Sequence, residues 1–471
     1  MGTTRTTLTG LCLALLGQGA ALQAQGVYAL IAEQSRTAFT IQGAGARATG
    51  TGGAFIAVAD DATAVSYNPA GLAQLLRPEV SFTGQSYQRR QTMTGFASND
   101  PLDPTTQENA GQQDSAARPS FLSMAIPCQR GGLNTAVQFS YQRILDFDFA
   151  QNGSFRATPT GGGAIQQISQ NVLQDGGIDM YSVAVGAELS SRILAGASVN
   201  YWRGSWNFSS LSDKLVSGVS TFDSNLAQAN QFRGLNGNLG LIWRSEYLNL
   251  GLVYRTPFTA TYTFENYLTQ PDPVTRLIVT THGARAPYSV HWPETLGWGL
   301  GVHPLPTLLL TADWARTPWS EANFAPAGTT YDNRNFFDLA VATQTPNVTT
   351  FHTGAEWAAL VGDAWVLPFR AGWFKEPQPI VDPQTGQQRI LTGWTAGFGV
   401  KYRSLTVDLA YKDSRSHRYV SRLNADAPVG GVESYAYGTE QFNERRVLMS
   451  VIVQLDTEKV HKAVAWGFKG N

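Results

Sequence analysis

The sequence predicts an all-β fold: a transmembrane antiparallel β-barrel of about 14 strands, preceded by an N-terminal segment that is not made of strands. Apolar residues alternate with polar ones along many short segments, which is the strand pattern. Charged residues make up 15% of the 471-residue chain, fewer than the roughly 25% of soluble domains. Past the N-terminus, no apolar run approaches the roughly 20 residues of a membrane helix. Since lipid admits only helices and closed barrels, a membrane location requires a barrel.

The alternation is clearest in segments whose apolar residues share one face. In one of them, Leu248, Leu250, Leu252 and Tyr254 alternate with Asn249, Gly251, Val253 and Arg255. The same pattern occurs at Val137, Phe139 and Tyr141, at Leu405, Val407, Leu409 and Tyr411, and at Val447, Met449, Val451, Val453 and Leu455. Soluble sandwiches also alternate, so this pattern predicts strands without placing them in lipid.

The lengths of the connections distinguish a membrane barrel from a sandwich. Connections after odd-numbered strands are long and polar, such as Met93–Arg118 and Glu321–Val348, whereas those after even-numbered strands are short, such as Ser245–Glu246 and Arg403. Long extracellular loops and tight periplasmic turns over an even strand number are typical of transmembrane barrels. The predicted strands are Pro78–Thr92, Pro119–Pro127, Leu133–Phe147, Ile178–Leu189, Ile193–Asn207, Gln231–Arg244, Tyr247–Phe264, Trp292–Val302, Pro306–Trp319, Thr350–Trp357, Ala364–Lys375, Leu391–Tyr402, Ser404–Ser416 and Arg446–Leu455.

Tryptophans near strand ends favour the same interpretation, because barrels carry aromatic girdles at both membrane interfaces. The alternative for each is an ordinary core position. The residues assigned to a girdle are Trp202, Trp206, Trp292, Trp314, Trp319, Trp373 and Trp394.

The N-terminus predicts export. Arg5 precedes the apolar centre 11–16, and small residues follow, with cleavage after Ala21 or after Ala24. This is the layout of a signal peptide, assigned to residues 1–24. The mature chain then keeps one cysteine, Cys128, so no intramolecular disulfide is expected in the oxidising compartment.

Residues 25–77 do not alternate, and they read as a separate unit before the barrel at 78–456 and a C-terminal tail at 457–471. The stretch Gly43–Ala48 nearly fits the dinucleotide-binding pattern G-x-G-x-x-G/A. That pattern requires a following helix within a βαβ unit, whereas the chain downstream is all strand. A dinucleotide site is therefore rejected.

Four blocks in order resemble the long-chain fatty acid transporter family of outer-membrane barrels, which includes the toluene and xylene uptake channels. They are "ARATGTGGAFIAVADDATAVSYNPAGLAQL" at Ala46–Leu75, "HWPETLGWGLGVHPLPTLLLTADWARTPWS" at His291–Ser320, "HTGAEW" at His352–Trp357 with "PFRAGWFKEP" at Pro368–Pro377, and "GFGVKYRSLTVDLAYKD" at Gly397–Asp413. The resemblance implies a fourteen-strand barrel plugged by an N-terminal hatch, an apolar pocket inside, and sideways exit of ligand through the wall. Such exit requires a kinked third strand, and Leu133–Phe147 has no proline or glycine to predict one.

An uptake channel needs an apolar pocket with few polar groups. Predicted hatch and ligand-binding residues are Asn68, Pro69, Ala70, Phe39, Ile41, Phe55, Ile56 and Val58, and possible partners for a ligand carboxylate are Arg143, Arg203, Arg255 and Lys412. The alternative is that these cations line a polar lumen or pair with hatch acids such as Asp60 and Asp61. Asn68 is expected to cap or turn the chain, with Pro69 fixing the backbone. The apolar segment Asn207–Gln231 reads as an external loop, and its apolar residues indicate either first capture of ligand or packing of the loop on itself.

The resulting hypothesis is passive uptake of long-chain fatty acids or hydrocarbons across the outer membrane of a Gram-negative bacterium, without enzyme activity, cofactor or metal. The scattered histidines have no metal-ligand spacing, and the net charge of −1 argues against nucleic acid as a partner. The expected partners are a hydrophobic ligand, outer-membrane lipid and lipopolysaccharide, and the barrel assembly machinery, with a monomeric state. The alternative functions are a secretion or surface scaffold, a general porin and a barrel-wall lipase.

Overall fold

The computed structural model describes residues 41, 43–97, 107–130, 133–157, 166–216, 219–271, 275, 277–283, 285–326, 345–382, 385–423 and 435–456. Within these ranges the strands form one sheet with antiparallel pairing throughout. They are β1 Glu79–Ala97, β2 Gln107–Arg130, β3 Leu133–Asp146, β4 Phe149–Ala157, β5 Gln166–Ser190, β6 Ile193–Val216, β7 Val219–Arg244, β8 Leu248–Arg255, β9 Phe258–Pro271, β10 Ile278–His282, β11 Ala286–Trp292, β12 Thr295–Leu305, β13 Leu308–Thr317, β14 Asn323–Pro326, β15 Val348–Val361, β16 Trp365–Val381, β17 Gln388–Tyr402, β18 Leu405–Leu423 and β19 Tyr435–Gln454. Helical turns lie at Ala46–Gly50, Ala64–Ser66, Pro69–Gln74 and Trp319–Glu321.

The sheet closes into a barrel because β1 pairs with β2 on one side and with β19 on the other. The ring contains fourteen strands, in the order β1, β2, β3, β5, β6, β7, β8, β12, β13, β15, β16, β17, β18, β19. The remaining short strands continue or extend ring strands after a break: β4 follows β3, β9 follows β8, β11 precedes β12, and β14 follows β13, while β10 pairs with β9. The predicted closed barrel of fourteen strands is confirmed.

The strands extend further from the short turns than predicted. β6 and β7 stay paired from Ile193 and Trp243 to Val216 and Val219. The segment Asn207–Gln231 is therefore a paired hairpin, and the prediction of an external loop there was wrong. Paired strands that extend beyond the membrane still satisfy their backbone hydrogen bonds. Their outward residues no longer contact lipid and need not be apolar, so the alternation of apolar and polar residues is lost there.

The barrel wall is apolar outside and polar inside. Val183, Val199 and Leu239 are among the exposed large hydrophobic residues, whereas Gln138 and Asn200 are buried in the lumen. This inverted polarity is that of a barrel surrounded by lipid. No helix among the described residues is long and apolar enough to cross a membrane. By the same topology, the short turns lie on the periplasmic side and the long hairpins on the extracellular side.

The predicted girdle of tryptophans on the outer wall holds for some of the residues assigned to it. Trp373 and Trp394 face outward, at 42% and 47% exposure, and pair directly across β16 and β17. Trp202, Trp206, Trp292 and Trp319 are instead buried in the lumen, so their assignment to a girdle was wrong. Position near a strand end does not select a face; the twofold alternation does, and it turns Trp202 and Trp206 inward with Asn200.

Residues 43–77, called the inner segment below, lie inside the barrel. The helical turn Ala46–Gly50 contacts β16 to β19, and the turn Pro69–Gln74 contacts β2, β3, β5, β6 and β7. The segment therefore touches opposite parts of the wall. Most of its residues from Ala44 to Leu75 are buried, among them Ala48, Phe55 and Leu72. Their small size explains how a folded chain fits within a ring of fourteen strands.

Candidate functional site

Asn68 ties the inner segment to the wall. Its side-chain amide donates to the carbonyl oxygens of Ile56, Leu241 and Leu252 at 3.0, 3.1 and 3.3 Å. Its Oδ1 accepts from the backbone N–H of Ala70 at 3.1 Å, capping the helical turn that Pro69 begins. One buried side chain thus fixes the turn, the neighbouring inner chain and two wall strands.

A glycine in the wall makes this approach possible. A Cβ atom on Gly240 would lie 1.9 Å from Asn68 Oδ1. On the neighbouring strand, a Cβ on Gly196 would lie 2.3 Å from the carbonyl carbon of Pro69. Glycine inside a strand often marks a site where another backbone comes close. Both glycines occupy inward positions of the alternation, so the sequence carried this signal.

Acidic and basic side chains of the wall hold the rest of the inner segment. Asp313 accepts from the backbone N–H groups of Phe55 and Ile56 at 2.6 and 2.8 Å. Glu356 pairs with Arg47 at 3.0 Å and with Arg370 at 2.6 Å. Two further carboxylates extend this network at the periplasmic side: Asp408 lies 2.7 Å from Arg370, and Asp60 pairs with Arg47. Four of these residues were not predicted from the sequence: Arg47, Asp313, Glu356 and Arg370. For the last three, an inward position in the alternation was the available sequence signal.

A cavity of about 190 Å³ lies between the inner segment and the wall. One side is polar: Lys412 is paired with Glu376 at 2.9 Å, and Arg255 donates to the carbonyl oxygen of Ser66 at 3.1 Å. Burial raises the pKa of the Tyr67 phenol, which also lines the cavity and remains a neutral hydroxyl. The apolar lining is formed by Ile41, Ile56, Trp292, Trp319, Val348 and Leu391.

Arg255 differs from the other cations of the cavity. Among the described residues no carboxylate lies within ion-pair distance of it, whereas Lys412 is neutralised by Glu376. A buried guanidinium whose charge is unmatched favours an anionic partner. The cavity therefore offers an apolar wall and one available positive charge.

An aromatic cluster extends from this cavity across the lumen. Trp292 packs against Trp319 at 5.0 Å and against Trp202 at 5.4 Å between ring centroids. Further along, Trp206 stacks on Tyr262 at 5.7 Å and meets Phe147 at 4.8 Å. The whole cluster comprises Ile144, Leu145, Phe147, Ile178, Met180, Trp202, Trp206, Phe232, Phe258, Ala260, Tyr262, Phe264, Val290, Trp292, Trp319, Ala322 and Val348, with Ile41 and Tyr288 against it. In a lumen otherwise rich in charged pairs, it forms a continuous apolar path.

The path ends at a break in the wall. β2 pairs with β3 from Phe121 onward and with β4 only at Gly111 and Gln112, so no backbone pairing joins residues 113–120 to residues 143–150. A bulge between Arg143 and Leu145 against β5 accompanies the break. The third strand is thus interrupted at Phe147 and Asp148, between β3 and β4. Neither proline nor glycine marks this position in the third strand; the partner residue Gly176, at φ 122°, supplies the needed backbone freedom.

Side chains bridge the break. Arg118 of β2 lies 3.2 Å from Asp146 and pairs with Asp148. Arg89 donates to the carbonyl oxygen of Asp148 at 3.4 Å. Phe147, which the break turns into the aromatic cluster, is 4% exposed. The opening is therefore closed by two arginines and two aspartates rather than by pairing between the strands.

The predicted site residues occupy four places. Ile41 and Ile56 line the cavity. Phe55 packs on Tyr67 inside the inner segment, with 5.3 Å between ring centroids. Val58 lies in the core of the inner segment, close to the periplasmic end of the barrel. Phe39 lies outside the described residues. Pro69 and Ala70 contact the wall at Gly196.

The four predicted carboxylate partners are not brought together. Arg255 and Lys412 line the cavity. Arg143 pairs with Asp179 at 2.7 Å on the outer face, and Arg203 is exposed, alternating outward with Tyr201. Arg143 and Arg203 are thus not placed beside the cavity, because the inward residues of β3 and β6 are those of the opposite parity. Among the described residues, no group of three histidine, cysteine, aspartate or glutamate side chains is placed to hold a metal ion.

Solved structures share this architecture. A FadL homologue from Pseudomonas aeruginosa aligns with 89% of this chain and 100% of its own, at 14% identity and a TM-score of 0.58. The toluene transporter TodX of P. putida aligns over 88% and 99% at 15% identity and a TM-score of 0.57. The toluene transporter TbuX of Ralstonia pickettii aligns over 89% and 100% at 15% identity and a TM-score of 0.54. No protein-family model matches the chain, and no curated protein sequence matches it. The likeness establishes the fold.

Proposed function

We propose that this barrel is an outer-membrane channel of the fatty-acid and hydrocarbon uptake family, through which hydrophobic small molecules pass without energy coupling. The observation that carries the proposal is the aromatic cluster, which joins the cavity at Trp292 to the wall break at Phe147. A barrel in lipid does not need an apolar path inside its polar lumen for its stability, so the path indicates a function. A ligand transferred along it keeps apolar contact from cavity to membrane.

The inner segment is proposed to act as the hatch of this channel. It obstructs the straight route to the periplasm, since it contacts β2 and β3 at one end and β16 to β19 at the other. The break between residues 113–120 and 143–150 then supplies a sideways route into the outer leaflet. The similar solved structures are those of a FadL homologue and of toluene transporters, which supports this class of ligand.

Arg255 is proposed to select among hydrophobic ligands by binding a carboxylate. Replacing it by glutamine is expected to weaken binding of a long-chain fatty acid about tenfold or more, because a hydrogen bond to a charged group contributes roughly 1.5–3 kcal/mol. Binding of an alkane or toluene should stay within about twofold. The measurement is equilibrium binding of this ligand panel, with a sugar included, to the purified barrel in detergent.

Arg203→Gln serves as the matched control, since Arg203 is exposed on the outer wall and its loss should change no affinity. If the folded native barrel binds no apolar ligand at all, the uptake function is overturned and a surface scaffold becomes the better explanation. If Arg255→Gln leaves fatty-acid binding unchanged while hydrocarbons still bind, only the role of Arg255 is overturned.

Loosening the wall break should accelerate transport. The double variant Arg118→Ala with Asp146→Asn removes the pairs of Arg118 with Asp146 and Asp148 across the break. The buried Asp146 is not left as an unpaired charge, and Asp148 is partly exposed. We expect the initial rate of uptake of a bulky apolar ligand by cells to rise severalfold, with cavity binding unchanged. Arg244→Ala, which breaks the 2.8 Å pair with Glu188 at the periplasmic end, is the control. An unchanged or reduced rate in the double variant would contradict exit at this break.

A further inference from the structure

Four cations lie on the outer wall, on the extracellular side of the outward Trp373, Trp394 and Tyr411, which are called the aromatic belt. Along β16, Lys375 follows the outward Trp373, and along β18, Arg415 follows Tyr411 and Asp413 on the same face. Arg90 of β1 faces outward at the level of Arg415, and Arg445 of β19 faces outward opposite Asp413. These four residues, Arg90, Lys375, Arg415 and Arg445, are called the basic rim. They are all exposed, Arg415 and Arg445 to 64% and 59% of their side chains.

The strand register makes the rim continuous. Lys375 pairs with Thr392, and Thr392 pairs with Arg415. On the other side Arg415 pairs with Asn443, which also pairs with Arg90. The rim therefore spans four strand spacings, roughly 19 Å, and hydrogen-bonding side chains separate the cations.

Among the described residues, one carboxylate neutralises part of the charge of the rim. This carboxylate is Asp413, buried beneath Arg415 at 2.6 Å and Arg445 at 3.7 Å. Among the described residues, neither Lys375 nor Arg90 has a carboxylate within ion-pair distance. Three positive charges thus remain in excess at the level where the apolar wall ends.

The apolar wall below the rim fixes the kind of partner. Trp373 and Trp394 stand directly beside each other, and Trp394 packs on Tyr411 at 5.2 Å. Below them Phe369 and Phe398 continue the outward apolar surface. A molecule that covers both surfaces must combine acyl chains with an anionic headgroup. Arginine recognises phosphate by paired hydrogen bonds, and basic residues at a membrane surface attract anionic lipid.

We infer that the basic rim and the aromatic belt below it form a binding site for a lipid of the outer leaflet that carries more than one phosphate, namely lipopolysaccharide. Its acyl chains lie along Phe369, Phe398 and the tryptophans, and its phosphates contact the rim. The breadth of the rim exceeds the reach of a single phosphate, so a singly charged phospholipid binds less tightly. The site lies on the outer wall, apart from the cavity and the wall break, and does not depend on the proposed uptake function.

The test compares binding of purified lipopolysaccharide to the full-length barrel in detergent with binding to a variant carrying Arg90→Gln, Lys375→Gln, Arg415→Gln and Arg445→Gln. We expect the variant to bind at least tenfold more weakly. Enzymatically dephosphorylated lipopolysaccharide should bind the native barrel as weakly as the intact lipid binds the variant. Phosphatidylglycerol should show a smaller difference between the two proteins.

The control carries the same change of charge at the periplasmic end, with Arg77→Gln, Arg192→Gln, Lys401→Gln and Arg403→Gln, all at exposed positions; its affinity should equal the native value. A second variant, Asp413→Asn, removes the one carboxylate of the rim and should bind more tightly, so the proposal stays testable if the fourfold variant folds poorly. Equal binding of intact lipid by native and rim variants, or equal binding of intact and dephosphorylated lipid by the native barrel, would overturn the site.

Discussion

The Asn68→Ala variant should conduct ions where the native barrel does not. The substitution removes the two amide N–H donors that contact three carbonyl oxygens, together with the cap at Ala70. Leaving such buried groups without partners costs roughly 2–4 kcal/mol in total, because each unsatisfied group costs about 1–3 kcal/mol and part is recovered by water. A local equilibrium between docked and released inner segment then shifts by about 30- to 1000-fold. The measurement is conductance across a planar lipid bilayer.

Two further variants sharpen this prediction. Gly240→Val should have a similar effect, since its Cβ would collide with Asn68 Oδ1, and the barrel wall should otherwise persist by circular dichroism. Asn443→Ala, on the outer wall, should leave conductance at the native level. If Asn68→Ala and Gly240→Val both remain closed while the barrels are intact, the inner segment is not held by this contact and the hatch assignment loses its support.

A charge placed in the aromatic cluster should block transport without preventing binding. Trp206 lies between Phe147 at the wall break and Tyr262, and it does not line the cavity. In Trp206→Glu, an apolar ligand leaving the cavity must pass a carboxylate with no partner, in an environment where unpaired charge is strongly unfavourable. We expect uptake by cells to fall at least tenfold, with ligand affinity in the cavity within about threefold of native.

Trp206→Phe keeps the apolar surface and is expected to transport at close to the native rate. Both substitutions make the side chain smaller, but only Trp206→Glu replaces its apolar surface by a charge. Comparing the two variants therefore separates the effect of losing apolar contact from the effect of reducing the size. Native uptake rates in Trp206→Glu would mean that ligand leaves the cavity by another route, and the path from Trp292 to Phe147 would then be a structural core alone.

The fold was predictable because barrels obey a simple local rule. Alternation at Leu248–Tyr254 or Val447–Leu455 requires only that one face of the strand contacts lipid. The short turns mark where one strand ends and the next begins, so the number of strands could be counted. All fourteen predicted strands lie within or overlap ring strands of the structure. The rule stops applying beyond the membrane, which is why the hairpin at Asn207–Gln231 was mistaken for a loop.

The candidate site was less predictable because it depends on which wall residues meet the inner segment. Asp313 and Glu356 look like ordinary polar lumen residues until the backbone of Phe55 and the guanidinium of Arg47 lie beside them. Parity within a strand, had it been applied to each candidate, would have excluded Arg203 in advance. The break at Phe147 has no marker in its own strand, since Gly176 on the partner strand provides the conformational freedom.

The contact of the inner segment with the closing strand pair has a consequence for assembly. Ser450 of β19 accepts from the backbone N–H of Ala46 at 2.7 Å, and it bonds across the seam to Thr83 of β1 at 2.9 Å. A slip of one residue in β19 would turn Ser450 outward to lipid and remove both bonds. The inner segment thereby favours one register for β19, so it also acts as a template for correct closure of the ring around it.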